Sequence, residues 1–340
     1  MMLATPAVGA SDSAVILQYH HVSSDTPAST SVSPERFTEH VEYLDNQGFA
    51  VWPVDRIVED LRHGRPLPQD CVAITFDDAY RSVYGNAFPL LRAKGWPFTV
   101  FVTTEGVDDG RESYLTWDQM REMARFGADF GNHSHSHAFL VRRHDGESED
   151  GWRGRVSGDI TRCQRRLREE LGVEPRGFAY PYGEYTAALE SLVVSLDLVG
   201  YGQHSGPVGR GSNFAALPRF PMAASFAEME SFVLKVRTLP LPVIAAEPSD
   251  PVLSMLEMRP VLRLTLAPGK YREEALAAYA SGQGRIEARW VDREERILEI
   301  VAPAPLPAGR SRYNCTAPAR EGGRYYWYSH LWIRGESHAG

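Results

Sequence analysis

Two adjacent carboxylates, Asp77 and Asp78, directly follow an apolar run in the first quarter of the chain. The run Val72-Ala73-Ile74-Thr75-Phe76 is typical of a strand that is buried on both faces in a parallel sheet. Two like charges at the end of such a strand repel each other, and they need a metal ion, another cation or a shared proton. The alternative interpretation is a strand end with an aspartate that caps the next helix.

A histidine cluster, His133-Ser134-His135-Ser136-His137, lies about 55 residues further along the chain. His133 and His137 are four residues apart, and neutral imidazoles at that spacing in a turn of helix can share one divalent ion. Together with one carboxylate they form a three-ligand set that leaves coordination positions open, which is typical of a catalytic metal site. A surface pair of histidines is the alternative, but the Asp-Asp strand end favours the metal. The spacing makes His135 a poorer candidate for a ligand.

Strand and helix patterns alternate about six or seven times over roughly the first 230 residues, which predicts a parallel α/β fold. The length of this part favours a barrel over an open sheet. In a parallel barrel all strand C-termini open on one face, where the loops build the active site. We therefore expect four polar strand ends to meet: His20-His21, Asp77-Asp78, His133 to His137, and Tyr182 with Gly183.

Helix starts in this part are predicted from their capping residues. Ser33 followed by Pro34 is one start, and Thr116-Trp117-Asp118-Gln119 matches the capping-box pattern. Asp159 is expected to cap an amphipathic helix with Ile160, Cys163, Leu167 and Leu171 on its apolar side. The preceding segment, Arg142 to Gly154, is interpreted as a charged loop.

The composition is ordinary for a globular protein, with 43% hydrophobic and 24% charged residues among 340. A net charge of -8 argues against nucleic acid as the main partner. No apolar run approaches the roughly 20 residues that span a bilayer. The three cysteines lack metal-type spacing, and nothing in the sequence indicates an oligomeric state.

The N-terminal segment, residues 1–13, is interpreted as a leader or the remnant of a signal peptide. Val8-Gly9-Ala10 resembles a small-residue cleavage site, although no basic region precedes it and the apolar part is short. On this basis we expect a periplasmic or secreted protein, with the cytoplasm as the alternative.

The composition changes after Arg237, which suggests a division of the chain into parts. Residues 14–238 are predicted to be the catalytic domain, the proline-containing residues 239–251 a linker, and residues 252–340 a small all-β sandwich. In the last part, the segment from Tyr325 to Trp332 is dense in aromatic residues. One face of this strand must belong to the core, and the other could either stack on sugar rings or pack against the barrel.

Several segments resemble the signature motifs of the polysaccharide deacetylases, the NodB-homology domains of carbohydrate esterase family 4. Three of them resemble the first three motifs: Thr75-Phe76-Asp77-Asp78, His133-Ser134 with His137, and Tyr180-Pro181-Tyr182-Gly183. Tyr19-His20-His21-Val22 and Leu217-Pro218-Arg219 resemble the circularly permuted subgroup, which includes periplasmic deacetylases of poly-β-1,6-N-acetylglucosamine. The resemblance extends from about Val15 to Phe232 and implies a distorted (β/α) barrel.

The resemblance also implies a metal site and a substrate. Asp78, His133 and His137 would hold a divalent ion, with Zn²⁺ expected and Ni²⁺ or Co²⁺ as alternatives. The substrate would be an N-acetylated glycan, a polysaccharide or oligosaccharide that contains N-acetylglucosamine. The activity implied is the metal-dependent hydrolysis of its N-acetyl groups.

Catalytic roles follow from the same motifs. Asp77 would be the general base, His20 the general acid, and the backbone N–H of Tyr182 a donor to the oxyanion. The third motif usually carries an arginine that orients the base, but this chain has Ala179 there. We expect Arg219, near the end of a later strand, to supply that charge instead.

A second departure from the family pattern is Ala79, which stands where glycine is common. Two other functions remain open from the sequence. One is an amide hydrolase of the same fold that acts on a small non-sugar molecule. The other is a carbohydrate-binding protein with a disabled site, although a binding module gains nothing from an intact set of metal-type ligands.

Overall fold

A nine-stranded, mostly parallel sheet is the framework of the N-terminal two-thirds of the chain. The structure, a computed structural model, describes residues 10–254 and 256–335. The strands of this sheet are β1 (Ser13–Tyr19), β2 (Ala50–Val51), β3 (Cys71–Asp78), β4 (Phe98–Val102), β5 (Ala128–Asn132), β6 (Gly177–Ala179), β7 (Val199–Tyr201), β8 (Val208–Gly209) and β9 (Phe220–Pro221).

The order along the sheet is β7-β6-β5-β4-β3-β1-β8, and all pairs from β7 to β1 are parallel. The strand β2 pairs with β3, and β9 pairs with β1. A parallel bridge between Tyr201 and Leu217 joins the segment before β9 to the far edge strand β7. The sheet therefore curls round, as the predicted distorted barrel requires, and the carboxyl ends of its strands lie at one face.

Eight α-helices of the described part of the chain surround this sheet or follow it. They are α1 (Pro34–Asn46), α2 (Val54–Arg62), α3 (Phe88–Lys94), α4 (Thr104–Asp108), α5 (Trp117–Ala124), α6 (Glu149–Leu171), α7 (Ala187–Ser195) and α8 (Met229–Val236). The predicted caps at Ser33 and Thr116 are present, and the second is a full capping box with Gln119. Among residues 10–254 and 256–335, no helix combines the length and the hydropathy that crossing a bilayer requires.

The start of helix α6 corrects a sequence expectation. The helix begins at Glu149, ten residues before the expected cap Asp159, and Ser148 caps it by accepting a hydrogen bond from the Gly151 N–H at 3.1 Å. Trp152 and Val156 extend its buried side towards the N-terminus. The glycines and charged residues at the start of this helix made it look like part of a loop, but the burial of its apolar side chains in the tertiary structure stabilises the helix there. Asp159 therefore does not cap the helix, and its carboxylate contacts the histidine loop instead.

The C-terminal part of the chain forms two stacked sheets. A six-stranded sheet consists of Leu239–Pro240, Val252–Leu253, Ala277–Ala280, Gly284–Ile286, Gly309–Pro318 and Tyr325–Arg334. A four-stranded sheet consists of Val243–Glu247, Val261–Leu266, Ala288–Asp292 and Ile297–Val301. Apolar side chains from both sheets share one core cluster, which is the arrangement of a β-sandwich.

Residues 239–251, expected to be a linker, are not simply an extended connector. Leu239–Pro240 pairs with Tyr326–Trp327, and Val243–Glu247 is an edge strand beside Val261–Leu266. Prolines are tolerated in this segment because a strand at a sheet edge leaves some N–H groups without a ladder partner. The division into domains at these residues stays a prediction, and most of the expected leader, residues 1–9, lies outside the described residues.

The aromatic strand Tyr325–Arg334 makes packing contacts on both faces. Trp332 lies in the core of the sandwich, together with the partly buried Tyr326 and Tyr328. On the other face, the Trp327 ring packs edge-on against Phe220 of the barrel, with 5.5 Å between the ring centroids. The packing interpretation of this strand is therefore favoured over an open sugar platform.

His40, a buried histidine in the barrel, makes stability dependent on pH. The Nε2 of His40 lies 2.7 Å from the Ala227 carbonyl and must donate to it, so the neutral ring accepts at Nδ1 from the Tyr19 hydroxyl at 3.0 Å. Burial lowers the pKa of His40 to about 4. Because the unfolded value is about 6.5, the unfolded chain binds more protons between these two values.

We predict that the free energy of unfolding falls as the pH is lowered from 6.5 towards 4, and that His40→Gln weakens this dependence. The loss from His40 alone is on the order of 3 kcal/mol at the acidic end. Urea unfolding at a series of pH values measures it, and His144→Gln at an exposed position serves as the control. Burial also lowers the pKa values of His204 and His330, so the slope should shrink without vanishing. An unchanged slope in His40→Gln would contradict the prediction.

Candidate active site

Three metal-type ligands meet at the carboxyl ends of strands β3 and β5. Asp78 Oδ1 lies 3.2 Å from His133 Nε2 and 3.1 Å from His137 Nε2. His133 is fully buried and Asp78 nearly so, whereas about a quarter of the His137 side chain is exposed. Of the described residues, these three are the group of side chains whose ligand atoms converge closely enough to hold one ion.

Hydrogen bonding shows that this group suits a cation. The Nδ1 of His133 lies 2.7 Å from the Ala179 carbonyl and must donate to it, so the neutral ring presents a lone pair at Nε2. That lone pair and the carboxylate oxygen Asp78 Oδ1 are both acceptors, and neither atom has a hydrogen-bond partner. Ligands at 2.0–2.1 Å from a tetrahedral ion lie about 3.3 Å apart, close to the distances here. A divalent metal therefore fits between the three atoms.

The electrostatics of the site also favour an ionised carboxylate. Burial by itself raises the pKa of Asp78, but hydrogen bonds and positive charge from the His133 and His137 rings, when these carry a proton in place of a metal ion, outweigh it and hold that pKa well below its usual range. The carboxylate is consequently charged at neutral pH, as a metal ligand must be.

Backbone strain is concentrated in the three loops that build the site. Nine non-glycine residues of the described chain have positive φ, and five of them lie here: Asp78, Ala79, Ser134, His137 and Tyr182. Each costs on the order of 1–2 kcal/mol relative to the right-handed regions. At Asp78 and Ala79 the left-handed turn ends strand β3, so the two adjacent aspartates no longer follow the alternation of a strand. Ala79 pays a penalty there that glycine, common at this place in the family, avoids.

The loop His133–His137 is not the turn of helix that the spacing suggested. Positive φ at Ser134 and His137 bends the chain, and His137 N–H donates to Ser134 Oγ at 3.0 Å. The carboxylate of Asp159, from the middle of helix α6, accepts from the N–H groups of His135 and Ser136 at 3.2 Å each. The two histidines therefore converge because an acidic side chain of a neighbouring helix holds the loop between them.

Asp77 has separate partners on the opposite side. Arg219 Nη1 donates to Asp77 Oδ1 at 2.7 Å and Arg219 Nη2 donates to Oδ2 at 2.8 Å, so the pair is bidentate, and both side chains are fully buried. Gln18 Nε2 adds a third donor to Oδ2 at 2.6 Å. Burial raises the pKa of Asp77, but the Arg219 charge outweighs it and the pKa is lowered.

Arg219 lies beside Asp77 and makes two further hydrogen bonds. Besides Asp77, it donates from Nε to the Gly202 carbonyl at 2.9 Å and from Nη1 to Thr75 Oγ1 at 3.2 Å. The position of Ala179, which carries arginine in the family pattern, instead supplies the carbonyl that orients His133. The positive charge beside Asp77 is thus carried by Arg219, in the segment just before strand β9, and not by a residue of strand β6.

The two histidines at the end of strand β1 are separated by the fold. Burial lowers the pKa of His20, and the charges of Asp78 and Asp77 oppose that shift, so the ring lies within the field of the carboxylates. His21 instead stacks on Tyr80, with 3.6 Å between the ring centroids. His135 is likewise turned away, because its Nδ1 lies 2.8 Å from Thr104 Oγ1.

Tyr182 lies beside the candidate metal ligands in a tight turn after strand β6. Its ring stacks on Phe139 at 3.8 Å and lies 4.6 Å from the His137 ring, centroid to centroid. The two backbone hydrogen bonds of the turn are donated by Gly183 to the Tyr180 carbonyl and by Glu184 to the Pro181 carbonyl. The N–H of Tyr182 takes no part in them.

Sequence reasoning missed two residues that support the site. Gln18 was visible as a polar residue in an otherwise apolar, buried strand, and that contrast could have singled it out. Asp159 was noticed but given a capping role, because its pairing with a loop 23 or 24 residues earlier leaves no local pattern.

A large cavity of about 840 Å³ lies away from this site, between the barrel and the C-terminal sheets. Its lining includes His204, Trp327 and His330, but none of the residues around the convergent ligands. The candidate site is separate from this cavity, and about a quarter of the His137 side chain is exposed to solvent.

Comparison with known proteins agrees with this geometry. Residues 64–200 match the family model for polysaccharide deacetylase, a range that contains Asp77, Asp78, His133, His137 and Tyr182. This part of the chain is therefore similar to the polysaccharide deacetylases. His20 and Arg219 lie outside the matched range, on either side of it.

Several individual proteins are similar to part of this chain. The poly-β-1,6-N-acetyl-D-glucosamine N-deacetylase of Escherichia coli K12 is 28% identical in an alignment 214 residues long, which covers 52% of this chain and 32% of that protein. The chain therefore spans about a third of that relative's length. The structure of IcaB from Ammonifex degensii is 26% identical with a TM-score of 0.57, over 65% of this chain and 96% of that one. The deacetylase PplD of Streptococcus pyogenes, with a TM-score of 0.60, 21% identity and coverage of 66% and 98%, shows the fold alone.

The convergence of the ligands gives a first prediction for this site. His137→Ala should lower the bound metal at least ten-fold after equilibration with Zn²⁺, because it removes one of three ligands. His135→Gln should retain the metal, because that ring contacts Thr104 and not the site. Metal analysis of the dialysed proteins measures both. Equal losses in the two variants, or retention in His137→Ala, would contradict the assignment.

A second prediction concerns the groups around Asp77. Gln18→Met keeps the side-chain length but removes a donor to Oδ2, and it should lower kcat about ten-fold while bound metal is unchanged. Arg219→Ala should lower kcat further, on the order of a hundred-fold or more, because it leaves Asp77 buried without a counter-charge. Steady-state kinetics, with thermal unfolding as a check on folding, measure these effects. Gln47→Met at an exposed position is the matched control, and a kcat unaffected by Arg219→Ala would refute the role.

Proposed function

We propose that the protein hydrolyses N-acetyl groups from a polysaccharide or oligosaccharide that contains N-acetylglucosamine, with Zn²⁺ as the expected metal. The observation that carries this proposal is the division of labour between neighbouring aspartates. Asp78 faces the two histidines, whereas Asp77 is held by Arg219 and Gln18 and has no ligand role. A site with three protein ligands and an adjacent ionised carboxylate suits the hydrolysis of an amide.

A divalent ion on Asp78, His133 and His137 would supply Lewis acidity, which polarises a carbonyl and lowers the pKa of a water molecule towards ~7. Asp77 is suited to accept the proton of the attacking water. Its Oδ2 already accepts two hydrogen bonds, whereas Oδ1 accepts one, from Arg219 Nη1. Because each carboxylate oxygen has two lone pairs, Oδ1 is the atom with a lone pair left for the water.

Two further groups complete the reaction. The Tyr182 N–H, outside the hydrogen bonds of its turn, would donate to the oxygen of the acetamide carbonyl as negative charge develops there. His20, which lies within the field of Asp77 and Asp78, would deliver a proton to the amine as the carbon–nitrogen bond breaks. Water loses a proton and the amine gains one, so the products are acetate and the free amino sugar.

The substrate proposal is supported by the relatives. The Escherichia coli protein and a Staphylococcus epidermidis protein, 26% identical over 190 residues, are both named poly-β-1,6-N-acetyl-D-glucosamine N-deacetylases. We therefore propose a β-1,6-linked N-acetylglucosamine chain as the first substrate to test. A substrate of this kind is consistent with a protein that acts outside the cytoplasm. The export of this protein stays a prediction.

We predict chelator-sensitive release of acetate from N-acetylglucosamine oligomers, with β-1,6-linked oligomers better than β-1,4-linked ones. Asp77→Asn should lower the rate of acetate release about a hundred-fold or more, because it replaces the base. The variant should still bind the metal, because Asp77 is not a ligand. Asp118→Asn, on an almost fully exposed side chain, is the control. Acetate is measured by an enzyme-coupled assay. No release from any glycan, or faster hydrolysis of simple acetamides, would overturn the proposal.

A further inference from the structure

We propose that Arg310, in the C-terminal sheet, is a positioning residue that holds the Tyr182 turn in the conformation that catalysis needs. The inference rests on the proposed function, since it assigns a task to the backbone of Tyr182 in that reaction. It gives the C-terminal sheets a part in the active site of the barrel. Neither the family motifs nor the sequence pattern points to this residue.

The contact between the two parts is direct. Arg310 Nη1 donates a hydrogen bond to the Tyr182 carbonyl, across 128 residues of sequence. Its Nε lies 3.8 Å from Glu184 Oε1, on the other side of the same turn, and Glu184 is buried. One guanidinium group therefore bridges the carbonyl and the carboxylate of a single turn, and its planar fork suits such a bridge.

The turn needs an external support. Tyr182 has φ 59° and ψ 2°, and Gly183 follows with φ 69°. Glycine adopts this left-handed conformation without penalty, whereas a tyrosine does not. Only the φ and ψ of Tyr182 separate its N–H from its C=O, so a hydrogen bond that fixes the carbonyl also restricts the direction of the N–H. Arg310 is placed at that carbonyl.

The other side of Tyr182 is already fixed within the barrel. Its ring lies between Phe139 and His137. Ring and carbonyl are thus held from opposite directions, one by the metal-ligand loop and one by the C-terminal sheet. An N–H donor held in this way can meet a developing oxyanion without reorganising, and small displacements of such a donor are costly.

Arg310 is presented from a surface that is itself seated on the barrel. Its partner in the antiparallel ladder is Ile333, which packs in a cluster with the barrel residue Phe178 of strand β6. At the other end of the interface, Arg324 lies 3.4 Å from Asp70 and donates to the Arg237 carbonyl at 2.6 Å. The neighbouring strand Tyr325–Arg334, which pairs with the strand that carries Arg310, is therefore held against the barrel near both of its ends.

The test compares Arg310→Met, Arg310→Lys and a control, Arg263→Met. Arg263 also lies on a C-terminal strand and pairs with a glutamate, but at the exposed sheet surface. We expect Arg310→Met to lower kcat about ten-fold or more, with KM changed less than two-fold and with bound metal and melting temperature unchanged. Arg310→Lys should restore part of kcat, because its ammonium can still donate to the Tyr182 carbonyl. A kcat that is unchanged in Arg310→Met, or that falls equally in Arg263→Met, overturns the inference.

Hydrogen–deuterium exchange tests, independently of activity, whether Arg310 holds the Tyr182 turn, a role called the clamp below. In the full-length protein, the amides of the peptide around residues 180–185 should exchange faster in Arg310→Met than in the wild type and in Arg263→Met. Unchanged exchange refutes the clamp even if kcat falls. If the wild type releases no acetate, the proposed function fails, and faster exchange in Arg310→Met would still support the clamp while unchanged exchange would refute it.

Discussion

The buried ion pair between Asp77 and Arg219 is the interaction on which the site depends. Both side chains are fully buried, and the two residues are 142 positions apart in sequence. A buried charge without a partner would cost several kcal/mol, so the pair links strand β3 to the segment that closes the barrel. It also offsets the repulsion between the neighbouring aspartates. Arg219 neutralises Asp77, whereas Asp78 faces His133 and His137, where it is available to bind a cation.

The site then imposes strain that its surroundings must offset. Left-handed residues at the ends of three strands bring ligands and catalytic groups to one point. Hydrogen bonds from outside these loops hold them there. The Asp159 carboxylate accepts from the N–H groups of His135 and Ser136, and the side-chain oxygen of Asn132 accepts from the preceding N–H, that of Ser134, at 2.8 Å. Strain that is supported in this way is typical of functional sites.

The C-terminal sheets fit this picture as a support and not as a separate module. Their aromatic strand buries one face in the sandwich and the other against the barrel. If Arg310 positions Tyr182 as we propose, the same interface extends to the active site. A sheet packed over a broad apolar surface is a rigid base for a single arginine, whereas a flexibly linked module could not hold a backbone carbonyl in place.

The sequence by itself determined which residue types could do the chemistry and the class of fold. Strand and helix periodicities are local, so the alternation that predicts a parallel barrel could be recognised directly, as could the capping residues at Ser33 and Thr116. Paired aspartates and spaced histidines carry a chemical meaning of their own, and the motifs suggested Arg219 as well.

Only the tertiary structure decided how those residues are held. Gln18 reaches Asp77 because two parallel strands are neighbours, and Asp159 supports the histidine loop because helix α6 packs beside it. The loop His133–His137 is bent by left-handed residues, not coiled as a helix, since side chains far along the chain outweigh local preference there. Such contacts depend on how the elements pack together, and a pattern within one segment contains no record of its neighbours in space.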